Sequence, residues 1–294
     1  MSKLAPVERL AALAARVAVA ALLALAAAAG TATATAGDYD LDVCPSGCAH
    51  SSVAAALEAA AEGDTVLVRA GTYREGPLVI DKTLSLVGEG WPVLDGELEH
   101  QILSVQADRV VVRGLVLRDA GRSHVRDVAA LHVGAIGGCV IEGNRVENAF
   151  FGIYLAKSTA CEIRDNVVIG EAETESYSGN AIHIWNGYDI VVEGNTVRRH
   201  RDGVYLEFAL GATVRNNLSE QNIRYGLHFM FSNESEFSGN VFADNGAGVA
   251  VMYSKTITMI GNEFRDNWGA AAYGLLLKDI NDSLVSGNLF ENNS

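Results

Sequence analysis

Proline is scarce in this sequence, four residues in 294, and basic residues are outnumbered, 22 Lys and Arg against 36 Asp and Glu. The few prolines, with 49% hydrophobic and 20% charged residues, exclude a disordered linker and point to a chain that buries a sizeable core, as one domain or one long repeat array. The shortage of positive charge argues against nucleic acid, anionic lipid and polyanionic polysaccharide as partners. Long apolar runs are missing as well. The strongest, residues 17–29, follows Lys3, Arg9 and Arg16, precedes Ala-x-Ala sites near Ala34 and Ala36, and is shorter than the ~20 residues of a spanning helix. Residues 1–36 therefore read as a cleavable signal peptide and residues 37–294 as the exported domain, with 19 Lys and Arg against 35 Asp and Glu, a net charge of −16. Export places the four cysteines in an oxidising compartment. Cys44 and Cys48 flank the turn residues PSG, which favours a small disulfide loop over a metal site.

What the sequence has in abundance is repetition. Asn144, Asn166, Asn195, Asn217, Asn240, Asn262 and Asn288 recur in short motifs such as EGNRV and SGNLF, most often 22 or 23 residues apart. A run that alternates apolar and other residues begins 14 residues before each of them: ALHVG, GIYLA, AIHIW, GVYLE, GLHFM, GVAVM and GLLLK. That interval is constant, whereas the distance from each Asn to the next run varies from 8 to 15 residues, so insertions are confined to one corner of a coil of fixed cross-section. Period-2 patterning with glycine at the corners predicts an all-β fold, a single-stranded right-handed parallel β-helix, with regular rungs from about residue 130 to 294. The Asn column is expected to form an amide ladder, and Phe242, Phe264 and Phe290 to stack. Cys139 and Cys161 share one column, but their Cβ vectors point the same way, so buried thiols are expected there. Before the rungs, HSSVAAALEAAAEGD reads as a helix started by Ser51 or Ser52 and ended near Gly63, in a segment of about 44–70 that caps the open end of the coil. At FENNS the chain stops in a turn without a capping element, which reads as C-terminal incompleteness.

Alternation sends two columns outward. One runs His132, Tyr154, His183, Tyr205, His228, Ala250, Leu276; its neighbour runs Gly134, Ala156, Trp185, Glu207, Met230, Met252, Lys278. Thioether, imidazole and carboxylate together suit copper, methionine favouring Cu(I), so His228, Met230, Met252, Glu207 and His183 are candidate ligands. A partner-docking surface without metal is the competing reading of such a strip, with Tyr205, Trp185, Arg199, Arg201 and Trp268 as candidate contacts. The acidic insertion GEAETESYSGN at 170–180 and the insertion around Trp268 fall at the same corner and would form one rim. Polysaccharide chemistry is a further alternative, with Tyr205 and His228 as acid and base. It needs cations to neutralise a uronate carboxylate, and the outward columns contain only Lys278; the run RRHR at 198–201 reads as a solvated turn held by Asp202.

The segments RRHRDGVYLEF (198–208), RYGLHFMFS (224–232), NGAGVAVMYS (245–254) and NWGAAAYGLLLKDI (267–280), with GDTVLVRAGTY earlier, resemble the NosD family, periplasmic β-helix proteins that help mature nitrous oxide reductase. The resemblance implies a non-enzymatic accessory subunit that assists assembly of the reductase's copper centres. It further implies mounting on an ABC transporter formed by NosF and NosY, delivery of copper by the lipoprotein chaperone NosL, and copper held in transit rather than tightly bound. Alginate epimerases share the expected fold, but their Asp-Pro-His-Asp signature has no match, the only prolines being Pro6, Pro45, Pro77 and Pro92.

Overall fold

Each strand pairs in parallel with its counterpart one coil later, and the pairings assemble three sheets of 11, 9 and 10 strands. The computed structural model describes residues 39–123, 125–269 and 273–293; the expected signal peptide lies outside these residues. The chain is a right-handed parallel β-solenoid of about 11 turns. The 11-stranded sheet runs from Leu41–Val43 to Leu284–Ser286, so the coil starts well before residue 130, where the repeat becomes visible in sequence. The reason is a missing marker. Leu115 occupies the ladder position one rung before Asn144, its N–H donating to the Asn144 Oδ1, and offers no amide of its own.

The inward columns are as expected from alternation. Leu131, Ile153, Ile182, Val204, Leu227, Val249 and Leu275 pair in unbroken register. The first six are buried, among the residues of one continuous core. Phe242 and Phe264 lie 5.4 Å apart between ring centroids, Phe264 and Phe290 4.6 Å.

The asparagine column forms the expected ladder inside one corner. Asn217 shows the pattern: its Oδ1 accepts from both the backbone N–H and the Nδ2 of Asn195, while its own Nδ2 donates to Asn240 Oδ1 and to the Val192 carbonyl. A second ladder stands five residues on, in Asn222, Asn245, Asn267 and Asn293, and the position one rung before Asn222 is occupied by His200, whose N–H donates to Asn222 Oδ1. Both are buried along most of their length, so the backbone groups of two corners find partners without water.

The N-terminal helix is shorter than the sequence suggests, Val53–Ala59, and its ends are satisfied from elsewhere in the chain. Ser52 caps Ala55 N–H, the Glu75 carboxylate accepts from the N–H groups of Val53 and Ala54, and Lys82 Nζ donates to the carbonyls of Leu57, Glu58 and Ala60. Cys44 and Cys48 form a disulfide. Cys139 and Cys161 are also bonded, which corrects the expectation of separate thiols: neighbouring rungs bring their Cα atoms to 4.5 Å, near the lower end of the range a disulfide accepts.

Asn217→Ala would orphan the buried donors of Asn195. At roughly 1–3 kcal/mol per unsatisfied group, we expect a loss of about 3 kcal/mol or more in urea unfolding, against a distinctly smaller loss for Asn288→Ala at the half-exposed end of the column. Equal losses would show that the amides do not carry the register.

Candidate functional site

The first outward column is a continuous stack of rings. Centroids follow one another at 5.4 Å (His132 and Tyr154), 4.7 Å (Tyr154 and His183), 4.8 Å (His183 and Tyr205) and 4.6 Å (Tyr205 and His228). Such pairs contribute about 0.5–1.5 kcal/mol each beyond burial. The rings cover one another along the coil, stacked or tilted except at Tyr154 and His183, which meet edge to face at 81°, and Phe151 and Tyr225 pack from the side at 5.3 and 4.9 Å. The column is therefore not the exposed strip that alternation suggests: His228 is 5% and Tyr205 9% exposed. Burial pushes the Tyr205 hydroxyl up to about 12, with Glu207 and Asp202 adding to it. Burial, helped by Arg201, holds the His183 imidazole down at about 3. Insertions border the stack, Tyr154 donating to Asp127 at 3.4 Å and Asn180 lying 3.4 Å from His183 Nδ1.

Beside the stack, Asp202 is fully buried on the strand Asp202–Glu207. Its Oδ1 accepts from Arg224 Nε at 2.8 Å and from the Tyr225 N–H at 3.3 Å; its Oδ2 accepts from Arg224 Nη2. Burial alone would raise its pKa, yet the Arg224 guanidinium holds the carboxyl at about 2. Arg201 Nε stands 3.8 Å from the same Oδ2 and its Nη2 donates to Asn180. His228 Nδ1 approaches Oδ2 to 3.7 Å, beyond hydrogen-bond length, and both its ring nitrogens are buried without a hydrogen-bond partner. The run at 198–201 is not a solvated turn, because His200 is buried and burial holds its imidazole at about 3.

In the second outward column, Trp185, Glu207, Met230, Met252 and Lys278 lie in register on five consecutive strands, and the first four are half-buried. Met230 and Met252 are thus neighbours one rung apart, ~4.8 Å between strands. His228 lies on the strand of Met230, and Ala250 occupies its position on the next rung. His183 does not join this group: the Tyr205 ring stands between it and His228. Among the described residues no three His, Cys, Asp or Glu side chains come together, so a metal on this face would depend on the thioethers. One residue further along each rung, Phe208, Phe231 and Tyr253 stack at 5.2 and 5.1 Å with exposed edges. Each adopts a left-handed conformation, φ 54°, 51° and 52°, unusual for bulky residues. Sequence reasoning did not single out these rings, nor Asp202 and Arg224 as a pair, although the recurrence of an aromatic residue one position after Glu207, Met230 and Met252 was there to be read. Of the expected docking residues, Arg199 and Trp268 are exposed, Trp185 and Arg201 are half-buried, and Tyr205 is buried in the stack.

Residues 170–294, which contain the thioether pair, match the NosD family, described as a periplasmic copper-binding protein. This part of the chain is similar to the NosD family. A probable ABC transporter binding protein NosD of Pseudomonas aeruginosa is 37% identical over 136 residues, 46% of this chain and 32% of that protein; the match thus spans about a third of the relative's length. Solved structures share the fold: an alginate lyase from Paenibacillus sp. FPU-7 (15% identical, 81% of this chain and 95% of that chain, TM-score 0.64) and the A-module of an Azotobacter vinelandii mannuronan C-5 epimerase (17%, 81% of each chain, TM-score 0.59).

The low pKa values of His183 and His200 have a definite sign. The unfolded chain takes up protons below about pH 6.5, whereas these two imidazoles stay neutral in the fold down to about 3. Stability should fall as pH drops through that window, by up to about 1.4 kcal/mol per pH unit for each group. Urea midpoints from pH 7.5 to 4.5 check this, and His200→Asn, which supplies an amide at the ladder position, should make the decline shallower; an unchanged slope would contradict it.

Proposed function

We propose that this chain is a periplasmic accessory protein for maturation of nitrous oxide reductase, and that its cargo is copper carried on the face formed by Met230, Met252 and His228. The observation that carries this reading is the register of two methionines on adjacent rungs, within the segment matched to a family described as copper-binding. Thioethers are soft donors suited to Cu(I), and an imidazole nitrogen without another partner adds a third donor. The residues fit a cargo held in transit. Glu207 lies on one side of the pair and Lys278, poised over the Tyr253 ring at 5.1 Å, on the other, so a bound cation is drawn toward the Glu207 end.

The relative's description as an ABC transporter binding protein supports docking to such a transporter. On this reading NosF and NosY supply the ATPase and membrane subunits, NosL delivers copper, and the reductase receives it, while this chain catalyses no reaction. The exposed edges of Phe208, Phe231 and Tyr253, beside the thioethers, are the surface over which a copper-exchanging partner would approach. The polysaccharide alternative loses its cations: Arg224 is bound bidentately by Asp202, Arg201 is engaged by Asn180 and Asp202, and neither is free for a uronate carboxylate.

Competition against a Cu(I) chelator should show the parent binding one Cu(I) and the Met230→Ala/Met252→Ala variant weakened at least about tenfold; equal affinity would remove this face as the carrier. In cells lacking the protein, nitrous oxide reductase should be purified deficient in copper, and a fully loaded reductase would overturn the maturation role.

A further inference from the structure

The corner that follows the second outward column is built against local preference. Its positions Lys157, Asn186, Phe208, Phe231, Tyr253 and Asp279 all take a left-handed backbone, with φ from 51° to 57°. Asn and Asp tolerate that conformation and bulky rings do not, and another left-handed corner of the coil uses Asn148, Asp244 and Asp266. Phe208, Phe231 and Tyr253 are nevertheless held there in a stack, 48%, 39% and 38% exposed, which points to a role in what they present to solvent. The column two residues further on adds Tyr188 and Leu210, paired on neighbouring rungs and 44% and 36% exposed.

Charge narrows the occupant. Residues 37–294 contain four lysines. Lys82 is engaged by helix carbonyls, and the other three all stand on this corner. Lys157 lies one rung before Trp185, its Nζ 5.2 Å from that ring; Lys278 lies one rung after Met252, its Nζ 5.1 Å from the Tyr253 ring; and Lys255 follows Tyr253 by two residues. Over the six rungs from Ala156 to Lys278 these three columns carry three lysines against two carboxylates, Glu207 and Asp279, on a domain of net charge −16. Methionine and aromatic rings within a cationic edge have the anatomy of a protein interface, apolar at the centre and polar at the rim. A lipid surface fits less well, since the rings are locked in a stack with only their edges free and the acidic domain is repelled by anionic headgroups. A second copy would bring the same lysines to the same face.

We propose that this corner docks a protein segment whose middle is apolar and whose two ends carry carboxylates. From the rung of Lys157 to that of Lys278 is five rung spacings, ~24 Å, the reach of about seven extended residues. The apolar middle lies across Phe208, Phe231 and Leu210, beside Met230 and Met252, while one end meets Lys157 and the other Lys255 and Lys278. The proposal rests on the copper reading for what the partner comes to do, and on geometry and charge alone for the partner's chemistry.

The test uses the full chain in cells that make nitrous oxide reductase. The photo-crosslinking residue p-benzoylphenylalanine replaces Phe231 in one strain and Phe208 in another, each an exposed ring exchanged for a larger one, and the attached peptides are sequenced by mass spectrometry. The expected product is a segment of another protein with apolar residues between Asp or Glu at both ends. Attachment to lipid, to a second copy or to a segment without those carboxylates, or no attachment at either position, would overturn the proposal. Lys157→Glu/Lys255→Glu/Lys278→Glu should lower the yield about tenfold or more, because three rim contacts are reversed together, while Arg145→Glu on a different sheet should leave it unchanged. Equal yields in the triple variant would also overturn it, and if that variant does not fold, the sequence of the attached segment decides. If the expected segment attaches and the reductase from cells lacking this protein is fully loaded with copper, the copper reading falls and the docking surface stands. If Cu(I) is bound through Met230 and Met252 and nothing attaches, the docking surface falls and the copper reading stands.

Discussion

The structure depends on amides that bond along the coil axis. Each ladder asparagine accepts from the rung before and donates to the rung after, which satisfies buried backbone at a corner and prevents neighbouring rungs from sliding. A slip of one residue would turn every inward side chain outward, so the ladder and the apolar columns enforce the same register. Everything on the outer face inherits that precision. Residues separated by about one repeat in sequence stand one rung apart in space, which is how Met230 and Met252 come to stand side by side.

Ring stacking on the outer face is a consequence of the same spacing. Rungs set ~4.8 Å apart place aromatic residues of one column at the separation where offset stacking is favourable. The column from His132 to His228 uses this to bury imidazoles and phenols on a face that would otherwise be wet. A buried polar face carries a cost unless its groups are paired, and the Asp202 and Arg224 pair takes up most of it. Both ring nitrogens of His228, the Nε2 of His183 and the Nε of Arg201 are among those it leaves over.

The repeat, the inward columns and the membership of both outward columns were legible in the sequence because each follows from period and register alone. The early rungs were not, since Leu115 stands where the marker amide would be. The second ladder, whose asparagines sit five residues after the first set, is harder to read because His200 interrupts it and leaves it shorter than the first. Burial of Tyr205, His183 and His228 was hidden for a different reason: it arises from rings covering one another and from insertions bordering the sheet, neither of which alternation encodes. The bond between Cys139 and Cys161 likewise depends on a separation of 4.5 Å that a shared column permits and does not guarantee.

On the copper reading proposed above, Met230, Met252 and His228 are the donors, and copper itself can report them. X-ray absorption at the copper edge of the Cu(I)-loaded protein tests this most directly. The account predicts two sulfur scatterers and one nitrogen, with the sulfur contribution lost in the variant lacking both Met230 and Met252. A first shell of nitrogen and oxygen alone would contradict it.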